Sequence, residues 1–184
     1  MRDIITILEG KEKPQDIEII NLNFTDKDVS PVLSAATIAL HYGKLAHGYA
    51  DRYNKGEGDS DFNYAGVFLH NLLFTQFREV RNNNQPTGPI KTFIDKKFSN
   101  WDNFKDQFAE EAMKIQGSGW VYLSHSGAIK TIKNHEVRSD ILLIVDWWEH
   151  AFLLDYGSDK KKYLQEQWKI INWNVISTRW GQSL

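Results

Sequence analysis

Cysteine is absent from the 184 residues. Disulfides, thiolate-bound metals and thiol nucleophiles are therefore excluded together. A charge excess is missing too. Lys and Arg number 22 against 24 Asp and Glu, a formal net charge of -2. A nucleic-acid binder would normally carry a basic face, so no nucleic-acid partner is expected. The longest apolar run is too short to span a bilayer, and the N-terminus has no basic-then-apolar leader. No membrane partner is expected, and the plain expectation is a soluble, cytoplasmic protein. What the chain does have is aromatic surface, 13% of its residues including seven Trp. Large flat rings suit the walls of a site or a subunit contact. The length allows one domain or two small ones with a proper core.

The organising stretch is Ile141-Leu-Leu-Ile-Val-Asp146-Trp-Trp-Glu-His150. Five apolar residues, three of them β-branched, predict a buried strand, the central one of a small sheet. It delivers Asp146 at its end, with His150 four residues on. Taken alone, Asp-x-x-x-His is more often a structural hydrogen-bonded pair than a metal half-site.

Upstream, Ser34 reads as the N-cap of a long helix to about Tyr53, closed by Gly56 and Gly58. His41, Leu45 and Tyr49 share one of its faces. A second helix, from about Phe62 to Val80, carries Gly66, His70, Leu73, Phe74 and Phe77 on one stripe. Consecutive amphipathic helices predict an antiparallel hairpin in which the two imidazoles meet. Asn82-Asn-Asn-Gln-Pro86-Thr-Gly-Pro89 is the best linker in the chain. Helices follow at about 89–98 and 101–115. Strands are expected from Gly117-Ser-Gly-Trp120 through Tyr122, over 128–133 and over 141–146. A last helix is expected over about 160–179. Before all of this, Ile4–Leu8 and Ile17–Leu22 have strand character and predict either an irregular hairpin or a surface arm. The predicted fold class is α+β: a 1–26 extension, a helical hairpin domain over 27–86, and an α+β domain with a three-stranded antiparallel sheet over 87–184.

Six histidines occur, at 41, 47, 70, 125, 135 and 150. Three of them, His41, His70 and His150, lie inside apolar patterns, as Asp146 does. Imidazole nitrogens with one carboxylate suit borderline ions such as Zn, Fe, Mn or Co rather than Mg or Ca.

At this point the motifs carry a resemblance. Ser34-Ala-Ala-Thr-Ile-x-x-His41-Tyr-Gly-Lys44, Phe62-Asn63 through His70, Gly117-Ser-Gly-Trp120 and Val145-Asp-Trp-Trp-Glu-His150-Ala are similar to those of the iron/manganese superoxide dismutases. So are Asp155-Tyr, Tyr163-Leu, Trp168 and Asn172-Trp173. The likeness runs over roughly residues 25–180, in family order. It implies one Fe or Mn ion per subunit, held by His41, His70, Asp146 and His150 with a solvent molecule as fifth ligand. It implies superoxide as substrate, converted to dioxygen and hydrogen peroxide. Tyr49 matches the gateway tyrosine, Trp120 and Trp148 the walls, and Glu149 the residue that reaches the other subunit's His150. A homodimer is therefore implied, with a tetramer possible.

The chain also departs from the pattern. Leu45 and Leu153 stand where many members have a His and a Tyr near the substrate approach. Leu73 and Phe74 replace larger aromatics. Gly66 stands where iron members place a solvent-contacting Gln, and His135 falls near the corresponding position of manganese members. His135 is therefore expected to act beside Tyr49, and its presence fits iron or tolerance of both metals. Lys44 and Arg179 are expected to steer an anion toward the site. The competing expectations are a catalytically weak or dead metal-binding relative acting as a scaffold, or a mononuclear iron oxygenase. The latter usually keeps only two His and one carboxylate.

Overall fold

The computed structural model describes residues 15–181. The segment Ile4–Leu8 lies outside them. Residues 15–22 form no strand. They run extended across the helices, held by side chains that imitate a strand partner. Asn54 accepts from the Ile17 amide and donates to its carbonyl, at 2.9 Å each. Asn71 accepts from the Ile20 amide and donates to the Glu18 carbonyl, at 3.0 Å each. Ile19 is buried beneath this strap. The surface-arm expectation describes residues 17–22 better than the hairpin, with the difference that the arm is pinned.

After a short α1 (Asp26–Val29), the first hairpin helix starts where the cap residue predicts. Ser34 Oγ accepts from the Thr37 amide. The helix is not uniform. An α-turn, α2 (Ala35–Ile38), widens into a π-helical stretch over Ala39–Ala46 and returns to α-geometry in α3 (His47–Lys55). Gly56 closes it at φ 69°, in the left-handed region where only glycine sits without strain. π-Turns are rare and concentrate at functional sites; this one contains His41. The second arm, α4 (Ser60–Thr75), is capped by Asp59, which accepts from the Phe62 amide. It ends at Thr75 rather than near Val80.

One cause explains that early stop and a second difference. Residues 76–81 leave the helix to pair with residues 169–172. The amides of Arg78 and Arg81 donate to the carbonyls of Ile170 and Lys169, both at 2.9 Å, and the Asn172 amide donates to the Gln76 carbonyl at 2.7 Å. Phe77 and Ile171 form an isolated bridge. The same contact interrupts the expected 160–179 helix. It becomes α8 (Lys160–Gln167), a 3-10 turn (Trp168–Ile170) and α9 (Trp173–Gly181).

The remaining elements are α5 (Gly88–Phe98), α6 (Trp101–Met113), β1 (Gly119–Ser124), β2 (Ile129–Lys133), β3 (Ile141–Asp146) and α7 (Leu153–Tyr156). The sheet is three-stranded and antiparallel, in the order β2-β1-β3. The central strand is therefore β1, and 141–146 is an edge, contrary to its wholly apolar reading. It reads like an inner strand because side chains cover its open edge. Gln76 brackets Ile144, donating to its carbonyl and accepting from its amide. Arg179 donates to the Leu142 carbonyl at 3.0 Å. An edge satisfied in this way offers no template to another chain. Among the described residues no helix is long and apolar enough to cross a membrane.

Candidate metal centre

Each of the four candidate ligands arrives on a different piece of backbone. His41 comes from the π-helical stretch, His70 from the middle of α4, and Asp146 from the last position of β3. His150 sits in the 3-10 turn Glu149–Ala151 that follows. The two halves of the chain are tied beside this point. Asp155 accepts from the Ser34 amide at 2.9 Å and the Thr37 hydroxyl at 2.8 Å. The Tyr156 hydroxyl donates to the Val32 carbonyl.

One ligand atom from each of His41, His70, Asp146 and His150 falls within 4.8 Å of all the others. The carboxylate divides its two oxygens. Oδ1 accepts from the Trp148 amide at 2.7 Å, an Asx-type turn that fixes the group. Oδ2 faces the rings, 3.0 Å from His41 Nε2, 3.2 Å from His150 Nε2 and 3.8 Å from His70 Nε2. The Tyr163 hydroxyl donates to the Asp146 carbonyl at 3.0 Å.

The chemistry of this donor set fits a cation. His70 Nδ1 lies 2.6 Å from the Gly66 carbonyl. A carbonyl only accepts, so Nδ1 carries the proton and Nε2 presents a bare lone pair. That lone pair faces carboxylate Oδ2. His41 Nε2 and His70 Nε2 are both buried and, although they face Oδ2, make no well-aligned hydrogen bond, an arrangement native interiors avoid. A positive ion among the four atoms would satisfy all of them.

Electrostatics favour the ligand-competent forms. Burial lowers the pKa of His41, though Asp146 opposes it. Burial and then the neighbouring His41 hold His70 well below the usual imidazole range. Burial alone would raise Asp146, but His150 and His41 overcome that and keep it ionised. Neutral rings and an ionised carboxylate are the forms that bind metals.

Around the four ligands stands an aromatic wall. Trp120 is fully buried, edge-on to His70 at 5.1 Å. Trp148 lies 5.8 Å from His150 and 4.8 Å from His135. The Tyr49 ring is 5.5 Å from His70 and 4.7 Å from His135. Burial and then Asp146 push its phenol up to about 12. His135 is brought inside, stacked on Phe62 at 4.5 Å, with both ring nitrogens unpartnered. Its pKa falls to about 4, chiefly through burial. Gly66 makes room for it: a Cβ there would lie 2.8 Å from His135 Nδ1 and 2.8 Å from the Tyr49 ring. Glu149 is exposed beside His150.

The family model described as iron/manganese superoxide dismutases, C-terminal domain, matches residues 86–179. A protein of Porphyromonas gingivalis named superoxide dismutase [Mn/Fe] is 33% identical over 190 residues, covering 89% of this chain and 98% of its own. The chain belongs to the iron/manganese superoxide dismutase family. A superoxide dismutase [Fe] of Bacteroides fragilis is 32% identical, with 88% and 98% covered. One of Tetrahymena pyriformis is 29% identical, with 89% and 100% covered.

In this dismutase-family chain two residues away from the ligands hold the surroundings in place. Gln76, which carries no periodic or motif signal in the sequence, bonds the β3 backbone at Ile144. Asn63 is buried and donates to the Glu57 carbonyl at 2.9 Å. Arg179 needs a correction. Its guanidinium is committed to the carbonyls of Leu72 and Leu142 and to Gln76 Oε1. It seals the β3 edge and is not free to steer an anion. Lys44 is exposed.

Proposed function

We propose that the protein is a superoxide dismutase using one iron or manganese ion, held by His41, His70, Asp146 and His150. The observation that carries this reading is the buried convergence of three imidazole nitrogens and one carboxylate oxygen within 4.8 Å. The bound ion supplies one-electron redox cycling, which takes superoxide to dioxygen in one half-reaction and to hydrogen peroxide in the other.

The chain's own residues do the rest. His70, its proton held by the Gly66 carbonyl, keeps one fixed tautomer through the cycle. Asp146, anchored by the Trp148 amide, presents a single oxygen to the pocket. Trp120, Trp148, Phe62 and Phe74 keep the surroundings apolar, which strengthens each charge interaction inside. Tyr49 and His135 act as the polar groups beside the substrate. The phenol, pushed up to about 12, stays protonated at neutral pH and can donate a hydrogen bond to an anion.

The rest of the reading is a cytoplasmic homodimer, with tetramers possible, and a division into a hairpin domain over 27–86 and an α+β domain over 87–184. Support for the dimer comes from Glu149, exposed next to His150, and from the neighbouring Leu153 and Leu154, which are 51% and 56% exposed. Metal analysis of the purified protein, with dismutation measured after reconstitution with iron and with manganese, tests the reading. Dismutation with either ion is expected. Retained metal without dismutation would point to a binding relative, and turnover of an organic substrate to an oxygenase.

A further inference from the structure

We infer that Arg52 is a positioning residue for the anionic substrate. It fixes the Tyr49 ring and places a held positive charge beside it. The inference rests on the dismutase reading above.

The guanidinium carbon lies 4.8 Å from the centroid of the Tyr49 ring, within reach of a cation–π contact. Its orientation is set from the other arm of the hairpin. Arg52 Nε donates to Asn63 Oδ1 at 3.1 Å. Asn63 is itself buried and fixed through its donation to the Glu57 carbonyl. The backbone leaves space for the group, because a Cβ on Gly48 would lie 3.2 Å from Arg52 Nη1. Arg52 makes no ion pair with any described residue. Among the described residues, then, no carboxylate pairs with its charge. The residue is half-buried, and the Tyr49 ring beside it touches His70 and His135. Arg179 is spent on backbone carbonyls and Lys44 stands in open solvent. Arg52 is thus the guanidinium in contact with the tyrosine that borders the centre. A fixed cation at such a place raises the local concentration of a small anion, in a salt-sensitive way.

The test uses the metal-loaded full chain as wild type, Arg52→Gln and Arg52→Lys. Three quantities are read: kcat and kcat/KM for superoxide against ionic strength, the affinity for azide from the visible absorption of the bound metal, and metal content. Arg52→Gln is expected to lower kcat/KM about threefold to tenfold at low salt, with kcat changed less. It should flatten the salt dependence and weaken azide binding by a similar factor, at unchanged metal content. Arg52→Lys should restore the salt slope. If Arg52→Gln does not fold, Arg52→Met, which keeps the stem on the ring and removes the charge, carries the same expectation. A neutral variant with the wild-type salt slope and azide affinity overturns the inference, as does a loss that simply tracks lost metal. Absence of dismutation in the wild type would instead sink the dismutase reading, and azide affinity would still decide the role of Arg52.

Discussion

Two of the aromatic clusters among the described residues are built alike. One joins Trp101, Phe104, Phe108, Trp168 and Trp173, with ring centroids 5.2–5.7 Å apart and several edge-on contacts. The other joins His41, His70, Phe74, Tyr49, His135 and Trp120, at 4.7–6.0 Å with the same mixture of tilts. Packing geometry does not separate them. The first contains no imidazole and no carboxylate; its rings stabilise by burial and ring-edge packing, with Lys105 over the Trp101 ring and a single buried, unpartnered indole nitrogen, that of Trp173. The second aims ring nitrogens at one carboxylate oxygen and leaves polar atoms unpartnered. The first cluster is a core. The second leaves buried nitrogens, of which those of His41 and His70 would be satisfied by an ion among the four ligand atoms.

That contrast breaks most visibly at a ligand. His70→Ala is expected to reduce bound metal and dismutation to background while the chain still folds, checked by metal analysis beside circular dichroism. The matching change in the other cluster, Phe108→Ala, should do the reverse. It is expected to cost about 3–5 kcal/mol in denaturant unfolding, with metal per folded molecule unchanged. A loss of metal from folded Phe108→Ala would mean that the two clusters are not independent.

A pH series sharpens the difference. His135 has a folded pKa of about 4, below the ordinary 6.5. The unfolded chain therefore binds more protons between those values. The His135 contribution is fully present above pH 6.5 and is lost as pH falls from there through about 4. Urea midpoints of the metal-free protein should decline over that window, and His135→Gln should flatten the decline. Tyr163→Phe removes the hydrogen bond to the Asp146 carbonyl and is expected to cost about 1 kcal/mol, with a modest fall in activity. His125→Ala touches neither cluster and should leave metal content, activity and stability as they were.

Much of this was legible along the chain because it depends on neighbours in sequence. Ser34 and Asp59 cap helices through amides three residues on. Gly56 ends a helix through its own backbone freedom. His41 and His70 fall on apolar stripes because helical period sets burial. What escaped reading depends on distant partners. The end of α4 and the break before α9 are one event, the pairing of 76–81 with 169–172, which neither segment announces alone. The edge position of β3 was hidden because Gln76, just past the end of α4, and Arg179, in α9, complete its hydrogen bonds. Asn54 and Asn71 show no pattern until the strap they hold is in place.

By itself the sequence determined which atoms could take part: three apolar-set imidazoles and one strand-end carboxylate, with no thiol to compete. It also determined the local turns and caps, since those obey short-range sterics and hydrogen bonding. Only the tertiary structure decided that His41 and His70 meet Asp146 more than seventy positions downstream, that His70 presents Nε2 inward, and that Arg52 rather than Arg179 stands by Tyr49. Those outcomes depend on how helices and sheet pack against one another, and packing is a property of surfaces brought together, not of spacing along a chain.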